Sequence, residues 1–272
     1  KQILKKDKVK FRTLGIDYSS ANINMLKALK KEFKKIRVKD VSKWLLEQRE
    51  IKTEDEVKKL KKACNIAGNI LEKCIKNFKK FKTESDVAFF LECEAKKASC
   101  DVSFPPIVAS GKNASMPHYE PQNIKLNKGF CVIDFGVKYK GYCSDITRTV
   151  YIGKPSEKEK QIYNFLLKIQ NNLIKNIKIN KKCGKIYNEC VKQLNNYSKY
   201  FTHGLGQGVG VEIHELPNLT LNSEDKIENK MVFTIEPGIY IPKKLGIRIE
   251  DTNLFDKKIL ILTKTTKELL II

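Results

Sequence analysis

The sequence predicts an α+β fold in which two halves share the order helix, helix, strand, strand. In the first half, two capping boxes each open an amphipathic helix, and two hydrophobic strands come after them. The same order of elements returns roughly one hundred residues later, without evident sequence identity between the halves. Such an arrangement indicates an internal pseudo-twofold repeat.

The first fifty residues alternate strands and helices. Strands are predicted at residues 12–17 and 35–40, with helices over 21–35 and around Trp44. Two strands are too few to close a sheet, so residues 1–50 are interpreted as the tail of an N-terminal domain. The chain begins at Lys1 with a basic stretch that no apolar signal segment follows, and its eight cysteines form no CxxC pair. We therefore expect a cytoplasmic protein with reduced thiols and a segment upstream of Lys1 that this chain does not include.

From Thr53 onward the pattern changes to long amphipathic helices and hydrophobic strands. Capping boxes begin at Thr53 and Thr83, each with an acid three residues later. The first box opens a run with apolar residues at helical spacing from 57 to 74, and the second opens a shorter helix. The remaining elements are predicted, in chain order, as strands 129–137 and 141–152, helices 160–177 and 184–197, and strands 209–213, 231–240 and 246–255.

Composition excludes several classes of protein. The chain has 53 Lys and Arg against 31 Asp and Glu, a net charge of +22. Such a charge favours nucleic acid as a partner, but only five of the basic residues are Arg, which reads guanine and binds phosphate bidentately. We therefore predict no specific nucleic-acid site. No apolar segment approaches the ~18 uncharged residues of a membrane span, which excludes a membrane protein.

Four carboxylates lie inside apolar strands: Asp134, Asp145, Glu236 and Glu250. A hairpin turn at Tyr139–Lys140 would place Asp134 directly opposite Asp145, and a turn at 242–245 repeats the arrangement for the two glutamates. Like charges that face each other across strands are destabilising unless a cation lies between them. The two pairs therefore favour one or two divalent ions such as Mn²⁺, Co²⁺, Zn²⁺ or Fe²⁺. The alternative for any single acid is a turn cap or an ion pair with a lysine.

The chain has three histidines: His118, His203 and His214. Each lies in a segment interrupted by Gly or Pro next to an acidic strand, where loops display catalytic groups. Near a metal-activated water, imidazoles can donate to a substrate carbonyl or to a tetrahedral oxyanion. The alternative is that they are solvated or satisfied core residues. We predict that at least two of the three belong to an active site.

Six motifs occur in the order of one known family: PHYEP from 117, VIDFG from 132, SDITRT from 144, HGLGQGVGVEIHE from 203, TIEPGIY from 234 and GIRIED from 246. In these motifs the chain resembles the pita-bread metallopeptidases, namely Xaa-Pro dipeptidase (prolidase), Xaa-Pro aminopeptidase, methionine aminopeptidase and the non-metallic creatinase. The resemblance implies the pita-bread (creatinase/aminopeptidase) fold for residues 51–272 and the remnant of a creatinase-like N-terminal domain for residues 1–50. The SDITRT motif and the short gap of 14 residues from Glu236 to Glu250 favour the proline-directed branch over methionine aminopeptidase.

The resemblance also implies a role for each of these side chains. The four carboxylates would hold two divalent ions (Mn, Co or Zn), with Asp145 and Glu250 bridging them. Glu236 would also act as the general base, and His118, His203 and His214 would contact the substrate or the tetrahedral intermediate. Arg248 would hold the carboxylates in place. The implied substrate is a peptide with proline in the second position, cleaved between Xaa and Pro, and the family further implies a homodimer.

One position departs from the family pattern. Gln207 stands where the resemblance places a histidine that is the only nitrogen ligand to the metals. An amide oxygen is a weaker ligand for Zn²⁺ or Co²⁺ and is more acceptable to Mn²⁺. Three hypotheses follow: an active Xaa-Pro metallopeptidase with weaker affinity at one metal position, a site with a single or differently ligated metal, or an inactive pita-bread protein that acts as a binding module. We predict the active peptidase because the four uncompensated carboxylates are retained, and methionine aminopeptidase is a further alternative.

Overall fold

The computed structural model describes residues 12–33 and 35–272. The chain divides into two compact units, one up to Arg49 and the other from Glu50. The first unit contains two parallel strands, each followed by a helix, in the order β1 (Thr13–Ile16), α1 (Ile23–Glu32), β2 (Arg37–Asp40) and α2 (Ser42–Glu50). This is the predicted alternation, although α1 ends at Glu32 rather than at residue 35. Residue 34 and the basic stretch of residues 1–10 lie outside the described residues.

The first half of the second unit begins with two helices, α3 (Glu54–Lys76) and α4 (Glu84–Lys97). Both predicted capping boxes are confirmed, since the hydroxyls of Thr53 and Thr83 accept from backbone amides three residues later. Six strands follow: β3 (Asp101–Val102), β4 (Ile107–Ser110), β5 (Gly129–Phe135), β6 (Val137–Tyr139), β7 (Tyr142–Cys143) and β8 (Ile146–Ile152). They form two three-stranded sheets in the orders β4-β5-β8 and β3-β6-β7.

The second half repeats this order. Its helices are α5 (Glu157–Lys175), which a third capping box opens at Ser156, and α6 (Cys183–Leu194). Its strands are β9 (Gly206–Gly208), β10 (Glu215–Leu219), β11 (Met231–Ile235), β12 (Gly238–Ile241), β13 (Leu245–Arg248), β14 (Asp251–Asp256) and β15 (Lys258–Ile261). The sheets have the orders β10-β9-β11-β14-β15 and β12-β13.

The helices of each half pack mainly on the strands of the same half, and a smaller cluster joins Leu60 of α3 to Val232 of β11 and Leu254 of β14. One core contains Leu71 of α3 and Leu91 of α4 with Ile133 and Phe135 of β5. A second core contains Leu166 of α5 and Ile186 of α6 with residues of β11, β12 and β13. The predicted α+β fold with helix-helix-strand-strand halves is therefore confirmed. In the described part of the chain, no helix combines the length and the apolar character that crossing a membrane requires.

The first hairpin has a different register from the predicted one. Asp134 pairs with Thr147, and Tyr139 pairs with Tyr142. The turn is centred on Lys140 and Gly141, whose positive φ angles of 48° and 84° suit a two-residue hairpin loop. The predicted pairing of Asp134 with Asp145 was therefore wrong by two residues. Because side chains alternate with a period of two, the error leaves both aspartates on one face of the hairpin.

The second hairpin has the predicted register. Ile235 pairs with Asp251 where β11 meets β14, and Gly238 pairs with Arg248 where β12 meets β13. Continued across the interruption between these strands, the same register places Glu236 opposite Glu250. The two hairpins thus present their acids differently, diagonally in the first half and face to face in the second.

A strand predicted at residues 209–213 is absent, and these residues form a loop between β9 and β10. The loop folds around the carboxylate of Glu215, which accepts hydrogen bonds from the backbone amides of Val211 and Glu212 at 2.9 and 3.1 Å. Backbone amides that donate to a side chain are not available for a strand ladder, so local hydrogen bonding overrides the β propensity of this segment.

Candidate active site

A cavity of about 340 Å³ lies among the motif residues of both halves. The predicted site residues that line it are His118, Asp134, Asp145, His203, Gln207, His214, Glu236 and Arg248. Phe104, Ile107, Pro117 and Ile213 supply an apolar part of the wall. Glu250 lies behind this lining and is 1% exposed. The structure therefore brings together side chains that are more than 130 residues apart in the chain.

Three of the four predicted carboxylates converge at this cavity. Asp134, Asp145 and Glu250 are buried, and one oxygen of each lies within 4.8 Å of the others. One oxygen of each also has no hydrogen-bond partner within the described residues: Asp134 Oδ1, Asp145 Oδ1 and Glu250 Oε1. A buried polar atom without a partner requires an explanation, because desolvation is costly when no bond compensates it.

The second oxygen of each carboxylate is held by a specific donor. Arg248 Nη2 donates to Asp134 Oδ2 at 2.6 Å, and Thr147 Oγ1 donates to Glu250 Oε2 at 2.7 Å. Gln207 Nε2 donates to Asp145 Oδ2 at 2.9 Å. Each carboxylate is thus oriented through one oxygen, while its other oxygen has no hydrogen-bond partner within the described residues. This arrangement is the one expected of oxygens that bind a cation.

Glu236 lies in the same cavity but outside this group of three. It follows β11, and Thr234 Oγ1 donates to its Oε1 at 3.1 Å. Its Oε2 lies 4.0 Å from His203 Nδ1. Burial raises the pKa of Glu236 to about 7, assisted by the charge of Asp134 and opposed by Arg248. A carboxyl group with this pKa can exchange protons near neutral pH.

Burial and mutual repulsion raise the pKa values of the other acids as well. Burial raises the pKa of Asp145 well above its ordinary value, and the charges of Glu250 and Asp134 raise it further. Burial likewise raises the pKa of Glu250, with added repulsion from Glu236 and Asp134. The cation that contacts this cluster is Arg248, whose charge does not balance four carboxylates. The cluster therefore has an excess of buried negative charge.

His203 is held on both sides of its ring. Its Nδ1 donates to the carbonyl of Gly204 at 2.7 Å, so its Nε2 accepts from the hydroxyl of Tyr240 at 2.8 Å. Burial lowers the pKa of His203 to about 3, and the positive charge of Arg248 lowers it further. Arg248 Nη1 also donates to the Tyr240 hydroxyl at 2.8 Å. In this arrangement the imidazole is neutral, and both of its nitrogens are engaged by the protein.

His118 and His214 differ from His203. Both are exposed, and both line the cavity. His214 follows the loop that folds around Glu215, and Lys52 Nζ donates to the other oxygen of Glu215 at 2.8 Å. This ion pair is almost fully buried, with side chains 2% and 1% exposed. The two exposed imidazoles are thus the ones available to a molecule that enters the cavity.

Sequence reasoning missed two groups that organise the site, Thr147 and Tyr240. The alternation of side chains along a strand is a sequence signal that identifies both residues. Alternation places Thr147 on the same face as Asp145, and Tyr240 on the same face as Glu236. Gly238 lies between Glu236 and Tyr240 in the chain. It must lack a side chain because a Cβ atom there would lie 2.6 Å from the Tyr240 ring.

The residues present fit a divalent cation. Unpartnered carboxylate oxygens in a buried cluster of like charge are the donors that hard and borderline divalent ions prefer. Gln207 adds an amide oxygen, because its nitrogen is the atom that donates to Asp145. Opposite charges nearby lower carboxylate pKa values, so a bound cation would remove the repulsion within the cluster.

Comparison with known proteins agrees with this geometry. A model of metallopeptidase family M24 matches residues 58–257. A Xaa-Pro dipeptidase of Pyrococcus furiosus is 40% identical over 268 residues, which cover 95% of this chain and 75% of the relative. The crystal structure of the prolidase from Pyrococcus horikoshii superimposes with a TM-score of 0.90 at 36% identity, covering 98% of this chain and 78% of the prolidase. That of an X-Pro aminopeptidase from Thermotoga maritima gives a TM-score of 0.93 at 28% identity, with 100% and 78% covered.

Proposed function

The chain belongs to metallopeptidase family M24 and has its pita-bread fold, and on this premise we propose that it hydrolyses the Xaa-Pro peptide bond as a dipeptidase or aminopeptidase. One observation carries the proposal. Asp134, Asp145 and Glu250 are buried with one oxygen of each within 4.8 Å of the others, and each has an oxygen without a hydrogen-bond partner within the described residues, beside a cavity of about 340 Å³. Two relatives with a named activity, from Pyrococcus furiosus and Pyrococcus horikoshii, are Xaa-Pro dipeptidases, which favours this function over methionine aminopeptidase.

We propose that Asp134, Asp145, Glu236 and Glu250 hold two divalent ions of Mn, Co or Zn. Gln207 supplies its amide oxygen as a weaker ligand, which favours Mn²⁺ over Zn²⁺. When bound, the ions act as Lewis acids that polarise the scissile carbonyl and favour ionisation of the attacking water. Arg248 and Thr147 keep Asp134 and Glu250 in their observed orientations.

The side chains of this protein divide the remaining tasks. Glu236 accepts a proton from the attacking water and delivers it to the proline nitrogen, which must be protonated to leave from a tertiary amide. His118 and His214 donate to the substrate at the open side of the cavity. His203 holds Tyr240 and, through it, Arg248, because both of its ring nitrogens are bonded to the protein.

The test is hydrolysis of Met-Pro and of a longer Xaa-Pro peptide by metal-stripped protein to which Mn²⁺, Co²⁺ or Zn²⁺ is added. We expect cleavage after Xaa with Mn²⁺ as the best activator, two bound ions by elemental analysis, and no cleavage by Asp145→Asn. Release of Met from Met-Ala in preference to Met-Pro would support methionine aminopeptidase instead. Asp145→Asn protein that keeps full metal content and turnover would contradict the assigned site.

Gln207→His separates the two remaining hypotheses. If the unaltered protein is inactive and Gln207→His is active, the fold is catalytic and only the imidazole ligand is missing. If both are inactive and neither binds metal, the chain is a binding module. In the active enzyme that we propose, Gln207→His raises the affinity for Zn²⁺ about tenfold or more, because imidazole is the better donor to that ion.

We further propose that residues 1–50 form the end of a creatinase-like N-terminal domain and residues 51–272 the catalytic domain. All eight cysteines are free thiols, and seven of them are buried, which supports a reducing cytoplasmic location. We also propose a homodimer without specific nucleic-acid partners. Sedimentation velocity at two protein concentrations tests the dimer.

A further inference from the structure

Glu84, in the first turn of α4, is a completely buried carboxylate outside the cavity. Its Oε1 accepts from the backbone amide and the hydroxyl of Ser110, both at 2.8 Å, and from Asn113 Nδ2 at 3.2 Å. Within residues 12–33 and 35–272 it forms no ion pair. A buried carboxylate that meets only neutral donors is costly, and such a cost is commonly found where the group has a role beyond packing.

The donors to Glu84 belong to one loop, which runs from Ser110 to Gln122 and carries His118. Its far end returns to α4, where the amide of Ser85 donates to the carbonyl of Gln122 at 3.2 Å. The amide of Gln122 approaches the second oxygen of Glu84, Oε2, at 3.5 Å. Glu84 therefore contacts both ends of the loop.

Tyr119 connects this anchor to the cavity. Asn113 Nδ2 donates to its hydroxyl at 3.1 Å. Burial and a hydrogen bond to Glu84 raise the pKa of Tyr119 to about 12. Its ring packs against the small cluster of Ala109, Ala114 and Val132. The preceding residue, His118, lies in a turn, is exposed and lines the cavity.

We propose that Glu84 is a positioning residue for His118, acting through Ser110, Asn113 and Tyr119 to hold the loop so that the imidazole faces the substrate. The proposal deepens the peptidase function and depends on it for its kinetic consequence. The placement of the imidazole is a property of the folded chain, and it is measurable without substrate.

The test compares two glutamine variants on one helix. Glu84→Gln keeps the size of the side chain but places an NH₂ group among donors. Glu94→Gln is the matched control, because Glu94 is also buried on α4 but pairs with Lys73 and Lys97. The chain has only three histidines, so their imidazole NMR signals can be assigned individually. We expect Glu84→Gln to shift and broaden the signal of His118 while those of His203 and His214 stay in place, and Glu94→Gln to move none.

Kinetics supply the second readout. We expect Glu84→Gln to lower kcat/KM on a Xaa-Pro peptide about tenfold in the unaltered chain, since small misplacements of a catalytic group are costly. In a His118→Ala background the same substitution should have no further effect. Equal losses in both backgrounds, or a disturbance of all three histidines, would show a purely structural role and overturn the proposal.

Two further outcomes are distinguishable. If the unaltered chain cleaves no Xaa-Pro peptide, the proposed function fails, while the NMR comparison still decides whether Glu84 positions His118. If Glu84→Gln does not fold, Tyr119→Phe removes only the hydroxyl that connects the anchor to the loop. We expect Tyr119→Phe to shift the His118 signal while those of His203 and His214 stay in place. An unchanged signal in Tyr119→Phe would contradict the proposed connection.

Discussion

Glu250 and Asp251 are consecutive buried acids whose surroundings are opposite in kind. Glu250 lies behind the cavity lining, where its neighbours are the acids Asp134, Asp145 and Glu236. Asp251 faces the other side of the strand, where Arg148 Nη2 lies 2.7 Å from its Oδ1 and Lys267 Nζ lies 2.8 Å from its Oδ2. Gln170 and Thr263 complete its hydrogen bonds.

The pKa values of the two acids move in opposite directions. Burial alone would raise the pKa of Asp251, but the charges of Arg148 and Lys267 lower it below its ordinary value. The pKa of Glu250 is raised by burial and by its acidic neighbours. Asp251 is thus compensated within the protein, whereas Glu250 forms no ion pair within the described residues. Burial of an acid does not by itself distinguish these two roles.

The largest expected effect is on the compensated acid. Asp251→Ala leaves the buried Arg148 and the partly buried Lys267 without their partner, and breaking a buried ion pair from one side costs about 3–5 kcal/mol. We expect this loss in the free energy of unfolding from urea titrations, with the same value in metal-stripped and Mn²⁺-loaded protein. A loss that appeared only with Mn²⁺ would place Asp251 in the metal site and erase the contrast with Glu250.

The next effect concerns the uncompensated acid. Glu250→Gln removes one negative charge from a repulsive cluster, so metal-stripped protein should gain about 1 kcal/mol of stability or remain unchanged. The affinity for Mn²⁺ should fall at least a hundredfold, about 2.7 kcal/mol, because a ligand is lost. Isothermal titration of Mn²⁺ and urea unfolding measure the two quantities, with Asp251→Asn as the neighbouring control. If Glu250→Gln lost stability but kept its affinity for Mn²⁺, Glu250 would be a structural acid and not a metal ligand.

A pH series sharpens the same comparison in metal-stripped protein. The pKa of Glu236 is about 7 in the folded chain and the unfolded value is near 4.5, so the folded state binds an extra proton between these values. Stability from this group should therefore rise as the pH falls through 7, by about 1 kcal/mol per pH unit. Asp251 has the opposite sign, since its lowered pKa means that its contribution is lost as the pH falls below about 4. Thermal unfolding at pH 8, 7 and 6 checks the first slope, and saturating Mn²⁺ should flatten or invert it.

Part of this contrast was predictable from the sequence. Alternation along SDITRT separates Asp145 and Thr147 from Arg148, and alternation along GIRIED separates Glu250 from Asp251. The motifs therefore predicted the fold class, and alternation along these two segments is a signal that separates Glu250 from Asp251.

The partners of Asp251, the hairpin register and the contacts of Glu84 depend on long-range contacts and turn geometry, which the sequence pattern does not contain. The partner Lys267 comes from the chain's last segment, and no periodicity connects it to Asp251. The hairpin register depended on the positive φ angles of Lys140 and Gly141. Glu84 stood in a recognised capping box, and its contacts with a loop more than 25 residues away appear only in three dimensions. Long-range partners and turn geometry thus set the limit of the sequence analysis.

The smallest expected effect comes from two isosteric substitutions, one in each environment. Thr147→Val removes the hydroxyl that donates to Glu250 Oε2, and Thr263→Val removes the hydroxyl that donates to Asp251 Oδ1 at 2.9 Å. Losing an orienting bond behind a ligand typically costs about tenfold in metal affinity, so Thr147→Val should weaken Mn²⁺ binding by about that factor. Thr263→Val should leave Mn²⁺ binding unchanged and lower the free energy of unfolding by about 1–2 kcal/mol, because the buried hydrogen bond is charge-assisted.

Each valine variant removes a hydroxyl that donates to one of the two acids, so each serves as the control for the other. Titration of Mn²⁺ and urea unfolding are carried out on both proteins. We expect Thr147→Val to change mainly the affinity for Mn²⁺, and Thr263→Val to change mainly the free energy of unfolding. If both variants lost stability and neither lost metal affinity, Glu250 would be a structural acid like its neighbour. The Thr147 hydroxyl also accepts from Arg248 Nε at 3.1 Å, and Arg248 in turn orients Asp134. Weaker Mn²⁺ binding by Thr147→Val would therefore show that metal affinity depends on hydrogen-bonding groups that do not contact the ion.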